Sequence, residues 1–262
     1  MNTTTARQLV DRLFRSLPLL LVFLLMSMST ARADTGDQLR LVELFTSHGC
    51  SSCPAADRLL GELLQQDDQL LGLEFHVDYW NTLVHGNAGS WVDPFSQRQF
   101  TDRQRAYEVS GLAGRPGVYT PQAVVNGQVA LVGSDRRSIQ RALQQGQTQQ
   151  LHIGFAISSP VSAKPEMRIT LSAEPAQLAA LAGTAISLLR YRDTASTRIT
   201  AGENKDLVHV NHHIVYAVAE LGQIEPERGL SFTVAPPAED EGCVVLVQNG
   251  ALTPVFAAAE CP

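Results

Sequence analysis

The chain has 262 residues, of which 44% are hydrophobic, and a formal charge of −6 at pH 7. Residues 1–33 hold four arginines and one aspartate, so the remaining 229 residues have a formal charge of −9, from 16 basic and 25 acidic side chains. This acidic balance argues against nucleic acid and anionic lipid as partners, because both are bound by clustered Lys and Arg. A length of 229 residues is sufficient for two domains.

The N-terminus has the three parts of a secretory signal peptide. Three arginines lie among the first 15 residues, an apolar run follows over 17–28, and Ala31-Arg32-Ala33 offers the small residues that signal peptidase requires. The apolar run is short for a membrane-spanning helix, which needs roughly twenty residues. We expect cleavage after Ala33 and a soluble periplasmic or secreted protein. An uncleaved N-terminal anchor is the alternative.

Predicted strands and helices alternate through the first half of the chain. Residues 39–45 predict a buried strand, which a turn with the sequence Cys50-Ser51-Ser52-Cys53 connects to a helix over 54–64. This order predicts an α/β domain over 34–148 with an insertion at about 79–117. The other predicted elements are a strand at 70–77, a helix capped by Asp93 that ends near Val109, strands at 121–125 and 128–132 around Asn126-Gly127, and a helix from Ser134 or Asp135 to near Gly146.

These elements and three short segments resemble known families. A strand, a Cys-x-x-Cys turn and a helix, followed by Thr120-Pro121, a strand hairpin and a last helix, resemble the thioredoxin fold, in which a cis-proline lies opposite the redox pair. Residues 42–54, 75–81 and 202–205 more narrowly resemble a secreted thioredoxin-like family of unknown function, domain of unknown function 1223. The resemblance implies a thioredoxin-like domain with a helical insertion, and it implies no particular activity.

Cys50 and Cys53 form the predicted reactive centre. The unpaired N–H groups and the dipole of a helix N-terminus stabilise a thiolate at the first cysteine. Cys50 is therefore the expected nucleophile and Cys53 the resolving thiol, while Thr120 and Pro121 are expected to shape the substrate side. We expect a thiol–disulfide oxidoreductase that needs no diffusible cofactor, only a protein or small-thiol substrate and a redox partner.

Two further side chains are candidates for assisting the thiols. Glu43 lies seven residues before Cys50, and the resemblance to thioredoxin implies a buried acid near this place, although the spacing here is one residue longer. The alternative for Glu43 is a strand-edge carboxylate that faces water. His48, as an imidazolium, would favour the thiolate, and its alternative is a solvent-exposed turn residue. The aromatic residues that either line a groove or pack the insertion are Tyr79, Trp80 and Trp91.

Two other functions fit the same cysteine pair. Cys50, Cys53 and a histidine suit copper, as in exported copper chaperones of the thioredoxin fold, and His48, His76 or His85 could supply the third ligand. A non-catalytic binding or assembly module with a structural Cys50–Cys53 disulfide is the other possibility. Reversible thiol titration distinguishes the oxidoreductase from both, and stoichiometric copper retention identifies the chaperone.

Residues 149–262 predict a second, mostly β domain. Several of its apolar runs alternate with polar residues and are separated by Gly, Pro and Asp, which is typical of a β-sandwich. A long run over 207–221 is expected to be bent or bulged, and a short helix is expected at 178–182. The other predicted strands are 151–159, 166–173, 184–191, 230–234, 243–248 and 253–259.

The second half contains two groups of residues that could act as metal ligands or form a cross-link. His209, His212 and His213 lie on one predicted strand, but alternate residues of a strand point to opposite faces, which favours a polar strand surface over a metal site. Cys243 and Cys261 flank a predicted hairpin around Asn249-Gly250 and would lie nearly opposite each other. We therefore expect a structural disulfide between them.

Overall fold

A computed structural model describes residues 38–112, 117–158, 164–249 and 254–262. The predicted signal peptide, residues 1–33, lies outside these ranges. Residues 37–262 form one compact unit. Within the described ranges, no helix has both the length and the apolar character needed to cross a membrane.

The first half of the described chain follows a β-α-β-α-β-β-α order, as the sequence predicts. Strand pairing is parallel between the first two strands and antiparallel between the others, so this half is of the α/β class. Its elements are β1 (Leu41–Thr46), α1 (Cys53–Gln66), β2 (Leu71–His76), α2 (Arg98–Val109), β3 (Gln122–Val125), β4 (Val129–Val132) and α3 (Arg136–Gln144).

The second half is mostly β. Its longest strand, Val208–Gln223, is irregular, as expected. The pairing of this strand with the preceding strand, Ala185–Arg198, shifts register at two places, between Ile186 and Ser187 and between Arg190 and Tyr191 of the preceding strand. The elements are β5 (His152–Ser158), β6 (Glu166–Ser172), α4 (Pro175–Ala180), β7 (Ala185–Arg198), β8 (Val208–Gln223), β9 (Ser231–Val234), β10 (Glu241–Gln248) and β11 (Val255–Glu260).

Strands from both halves form one large mixed sheet. Its order is β11-β10-β7-β8-β2-β1-β3-β4, and β5, β6 and β9 form a separate three-stranded sheet. The junction of the two halves is the parallel contact between β2 and β8, where Glu74 pairs with Ile214. The sequence predicts a domain boundary at residue 149, whereas the large sheet continues from one side of that position to the other.

Alternation along the strands separates the buried residues into cores on the two faces of the sheet. On β1, Leu41 and Phe45 pack on one face with Phe75, whereas Val42 and Leu44 pack on the other face with α1. The three-stranded sheet covers a further core, in which residues of β6 pack against β7, β10 and β11. Helix α1 and the cysteine turn therefore lie on the Val42 and Leu44 side of the large sheet.

Two predictions outside the cysteine turn have different outcomes. The predicted disulfide between Cys243 and Cys261 is present, and their Cα atoms are 5.3 Å apart at the open end of the β10–β11 hairpin. The predicted Asp93 cap is wrong, because α2 begins at Arg98, five residues later. The Asp93 carboxylate instead accepts a hydrogen bond from the backbone N–H of Phe95 and bonds to histidines described below.

Candidate functional site

The cysteine turn joins the end of β1 to the start of α1. Cys53 is the first residue of α1, Pro54 follows in its first turn, and Cys50 precedes it in the connecting turn. A disulfide joins Cys50 to Cys53, with their Cα atoms 5.4 Å apart. The Cys50 sulfur is 3.3 Å from the Ser52 hydroxyl. The helix therefore begins at Cys53, one residue before the start predicted from the sequence.

Both cysteines are buried. Cys50 is 1% exposed and Cys53 is 0% exposed, whereas Ser51 and Ser52 between them are exposed. The two serines of the motif are therefore accessible to solvent, whereas the two cysteines are not.

The loop between β7 and β8, residues 199–207, binds the cysteine turn, and we call it the cap loop. The Asn204 side chain donates hydrogen bonds to the backbone oxygens of His48, at 2.8 Å, and Cys50, at 2.9 Å. The Glu203 carboxylate accepts one from the backbone N–H of Ser51 at 2.9 Å, which lowers the pKa of Glu203. Three hydrogen bonds thus hold the turn from a segment about 150 residues later in the chain.

The insertion packs against the cap loop from the other side. Its His85 ring is 3.3 Å from the Glu203 carboxylate, and the Gly202 N–H donates to the backbone oxygen of Ala88. Gly202 has a φ of +78°, and a Cβ there would lie 3.1 Å from the Cβ of Trp91, so this position requires glycine. The insertion therefore supports the cap loop through packing.

The aromatic residues of the insertion also make packing contacts. Trp80 stacks on His85, and its Nε1–H donates to the Thr120 hydroxyl at 2.8 Å. The Tyr79 hydroxyl donates to the Gln104 side chain. These contacts agree with the alternative in which the aromatic residues pack the insertion.

Thr120 and Pro121 lie beside α1, directly before β3. The peptide bond between them is cis. A Cβ on Gly133 would meet the Cβ of Pro121 at 2.9 Å and that of Ala56 at 3.2 Å, so Gly133 lies between Pro121 and the first turn of α1. The structure thus brings the predicted proline to the same end of α1 as the cysteine pair.

Glu43 lies on the opposite face of β1 from α1. It is 0% exposed, so the alternative in which it faces water is wrong. Arg103 donates to its two oxygens at 2.6 and 3.0 Å, and the Tyr107 hydroxyl donates at 2.5 Å. Burial acts to lower the pKa of Arg103, but Glu43 outweighs it and raises that pKa. The structure therefore separates Glu43 from the cysteine pair and places it in a buried ion pair.

His48 is buried rather than exposed, so the alternative of a solvent-exposed turn residue is wrong. Its Nε2 is 2.7 Å from the Asn211 side-chain oxygen, and its Nδ1 is 3.6 Å from Asp93. Burial lowers the pKa of His48, although Asp93 acts in the opposite direction. Burial therefore opposes the imidazolium form that the sequence analysis suggested for His48.

His48 belongs to a buried polar group, which we call the His48 cluster, made of His48, His76, Asp93, Glu74 and Asn211. The Nδ1 of His76 is 2.8 Å from Asp93, and its Nε2 is 3.4 Å from Glu74. Burial acts to lower the pKa of His76, but Asp93 and Glu74 outweigh it and raise that pKa to about 10. Burial raises the pKa of Glu74 to about 7. Burial also acts to raise the pKa of Asp93, but His76 outweighs it and holds that pKa below its usual range. All four of these titratable side chains are buried, so solvent screens their charges little.

Asp57 is a buried acid on α1 that the sequence analysis missed. It lies four residues after Cys53 and therefore on the same face of the helix. It accepts a hydrogen bond from the Thr46 hydroxyl at 2.7 Å, and the His209 Nε2 is 2.8 Å away. The helical spacing of the residues could have identified Asp57 from the sequence, because it falls on the same helix face as the buried Cys53 and Leu60.

The three histidines of β8 do not form one site. His209 is 4% exposed and binds Asp57, so the prediction of a polar strand surface is wrong for this residue. The His213 ring stacks on Tyr191, and a Cβ on Gly61 would contact the His212 ring. The second half of the chain contributes to the cysteine region through His209, Asn211 and the cap loop, which the sequence suggested only through the resemblance of residues 202–205.

The predicted copper ligands are not arranged as a ligand set. Cys50 and Cys53 are joined to each other, so neither offers a thiolate in this state. The His48 ring is directed to Asn211 and Asp93, and His85 is paired with Glu203. Copper binding through reduced cysteines stays a prediction for the reduced protein.

Comparison with known proteins gives a family and a fold. The family model described as "Protein of unknown function (DUF1223)" matches residues 41–248. No curated protein matches the chain. A crystal structure of protein AGR_C_4864 from Agrobacterium tumefaciens is similar, with 29% identity and a TM-score of 0.61 over 84% of this chain and 92% of that one. HBP35 of Porphyromonas gingivalis is also similar, with 13% identity and a TM-score of 0.57 over 86% of this chain and 75% of that one, and at this identity the likeness shows the fold alone.

Proposed function

The chain belongs to the DUF1223 family, and we propose that it is an exported thiol–disulfide oxidoreductase built on a thioredoxin-like core. The neighbouring strands β2, β1, β3 and β4, with α1 after β1 and α3 after β4, resemble the thioredoxin core in order and direction. The proposed export rests on the predicted signal peptide. The observation that carries the proposal is the Cys50–Cys53 disulfide at the first turn of α1, at the same end of the helix as Pro121.

The proposed exchange proceeds through a mixed disulfide. When the protein oxidises a dithiol, a substrate thiolate attacks the Cys50 sulfur, and Cys53 leaves as a thiolate. The second substrate thiolate then attacks the substrate sulfur of the mixed disulfide and releases Cys50, so that two electrons pass from the substrate to the cysteine pair. The N-terminus of α1 stabilises the Cys50 thiolate, and the Ser52 hydroxyl, 3.3 Å away, can donate to it. The same steps in reverse reduce a substrate.

Asp57 takes the place that the sequence analysis gave to Glu43. It is buried, it lies one helical turn beyond Cys53, and its hydrogen bonds to Thr46 and His209 fix its carboxylate. We assign to Asp57 the transfer of the proton that Cys53 gains or loses during exchange. We prefer Asp57 to Glu43 for this role because Glu43 lies on the other face of β1 and is paired with Arg103.

Burial of both sulfurs has a consequence for access. A thiolate must approach the sulfur that it attacks in line with the disulfide, and a cysteine residue that is 1% exposed is closed to such an approach. The cap loop is bound directly to the turn, so we propose that exchange takes place when this loop moves away. Opening of a surface loop is a low-energy local event compared with global unfolding.

The same burial favours a second candidate function, a binding or assembly module in which Cys50–Cys53 is a permanent structural disulfide. Structural disulfides of exported proteins resist the glutathione pool because their potentials lie below about −300 mV. The two candidates therefore differ in a measurable potential.

The test is a redox titration of the intact mature protein in glutathione buffers, with the state of Cys50 read by alkylation and mass spectrometry. A reversible potential between about −270 and −120 mV supports exchange, and its value gives the direction. A bond that stays closed below about −300 mV supports the structural module. A Cys50→Ser variant is the control, and copper measured in the same reduced samples tests the metallochaperone.

A further inference from the structure

The His48 cluster contains three buried side chains whose atoms can bind a metal ion without the cysteine sulfurs. We propose that His48 Nδ1, His76 Nδ1 and the Asp93 carboxylate bind one divalent first-row transition metal ion, with Zn²⁺ as the representative. One potential ligand atom from each of the three residues lies within 4.8 Å of the others, and all three residues are buried. This site shares His48 and His76 with the candidate copper ligands predicted from the sequence, and it uses no sulfur.

The distances fit a compact metal site. Asp93 Oδ1 is 3.6 Å from His48 Nδ1, and Asp93 Oδ2 is 2.8 Å from His76 Nδ1. Ligand atoms around a tetrahedral zinc ion are about 3.3 Å apart, because each lies about 2.0 Å from the metal. The two observed distances lie on either side of this value, and the three ligand atoms lie within 4.8 Å of one another.

The outer nitrogens of both rings already have the partners that metal-binding histidines use. His48 Nε2 is 2.7 Å from the Asn211 side-chain oxygen, and His76 Nε2 is 3.4 Å from the Glu74 carboxylate. A metal-ligating histidine donates its other N–H to a carboxylate or a carbonyl, and this bond fixes the ring with its lone pair toward the metal. In the His48 cluster, both Nδ1 atoms consequently face Asp93.

His48 Nδ1 is the observation that calls for a cation. It is a fully buried nitrogen without a hydrogen-bond partner among the described residues. An amide oxygen can only accept, so the tautomer that satisfies Asn211 has its proton on Nε2 and a lone pair on Nδ1, 3.6 Å from a carboxylate oxygen. Two electron-rich atoms that face each other in a buried site repel, and a metal ion between them converts the repulsion into two bonds.

The donor set selects the class of ion. Two imidazole nitrogens and one carboxylate oxygen suit Zn²⁺ and the other divalent ions late in the first transition row, whereas Mg²⁺ and Ca²⁺ prefer oxygen ligands. Binding releases the proton that His76 Nδ1 shares with Asp93, while the proton on Nε2 remains directed to Glu74. Three protein ligands leave a fourth position open for water or a small anion.

Cobalt and zinc binding to the oxidised, chelator-treated protein tests this site. Co²⁺ is added to the native protein and, in parallel, is present while the protein refolds, so that a closed site is loaded in either case. We expect one Co²⁺ per chain, visible absorption bands of a four- or five-coordinate ion, and none of the near-ultraviolet bands that thiolate ligands give. Zn²⁺ should displace the Co²⁺ and remove the bands.

Matched variants locate the ion. His48→Gln should reduce the stoichiometry from one to zero, while His152→Gln, which changes an exposed histidine on β5, and a Cys50→Ser/Cys53→Ser double variant should keep it at one. If His48→Gln does not fold, X-ray absorption of the zinc-loaded wild type decides: two imidazoles with oxygen support the site, and sulfur ligands overturn it. Folded wild-type protein that holds no Co²⁺ after either loading, or full binding by His48→Gln, also overturns it and makes the cluster a metal-free hydrogen-bond network.

Discussion

Asn204 is the residue through which access to the disulfide can be tested. Replacing it with alanine removes the hydrogen bonds to the backbone oxygens of His48 and Cys50 and leaves the two cysteines unchanged. Each such bond contributes about 1 kcal/mol net, so closure of the cap loop should weaken by about 2 kcal/mol. Since 1.4 kcal/mol is a factor of ten, the open fraction should rise about 30-fold.

The measurement is the rate at which dithiothreitol reduces the Cys50–Cys53 bond in the native, oxidised protein. Peptide mass spectrometry after alkylation separates this bond from Cys243–Cys261. If reduction requires an open cap loop, Asn204→Ala should react about 30-fold faster than the wild type, in proportion to the open fraction. Lys205→Ala is the matched control, because it shortens an exposed side chain of the same loop. Equal rates for Asn204→Ala and the wild type, or equal acceleration by Lys205→Ala, would refute the proposed gating.

Three further predictions concern the surroundings of the site. Glu43→Gln leaves the buried Arg103 without its carboxylate partner, so the free energy of unfolding should fall by about 3 kcal/mol in a urea titration. The reduction potential of the Cys50–Cys53 disulfide should not change, and a shifted potential would contradict the separation of Glu43 from that bond. Cys261→Ser opens the bond to Cys243 and should cost about 3 kcal/mol of stability by the same titration, with unchanged exchange activity; a change below about 1 kcal/mol would mean that this bond carries no structural role. Because the pKa of Glu203 is lowered, the hydrogen bond from Ser51 to its carboxylate is complete above pH 4.5, the ordinary pKa, and is lost as the pH falls through the lowered pKa. The rate at which a phosphine reduces the wild-type disulfide should therefore increase in acid relative to the rate for Glu203→Gln. A constant ratio of the two rates would be evidence against this anchor.

The sequence predicted most of the fold because its signals are local. Strand periodicity, the Cys-x-x-Cys turn before a helix and the Asn126-Gly127 hairpin each act within a few residues, and the structure contains every element that they indicate. The start of α2 was misplaced for a tertiary reason. Asp93 is a good cap by type, but its carboxylate is used by His76 and by the backbone of His48, so the helix begins without it.

The surroundings of the cysteine pair could not be predicted in the same way. Asn204 reaches Cys50 across 154 positions, and His209 reaches Asp57 across 152, because β8 joins the sheet beside β2. The local residue pattern of β8 does not indicate that β2 is its neighbour in the sheet. Glu43 is the opposite case. Its distance in sequence from Cys50 suggested a role in proton transfer at the thiols, whereas the two-residue period of β1 directs its side chain to the other face of the strand.

The position of β8 in the sheet also affects the order in which the molecule is completed. Synthesis proceeds from the N-terminus, so both cysteines and all of their first-half neighbours exist before the cap loop and β8 have been made. During that interval the β2 edge has no partner strand, and the cysteine turn lacks its three anchors from the cap loop. The contacts that hold the cysteine turn in the complete fold, where both cysteines are buried, are therefore absent from the first half of the chain alone.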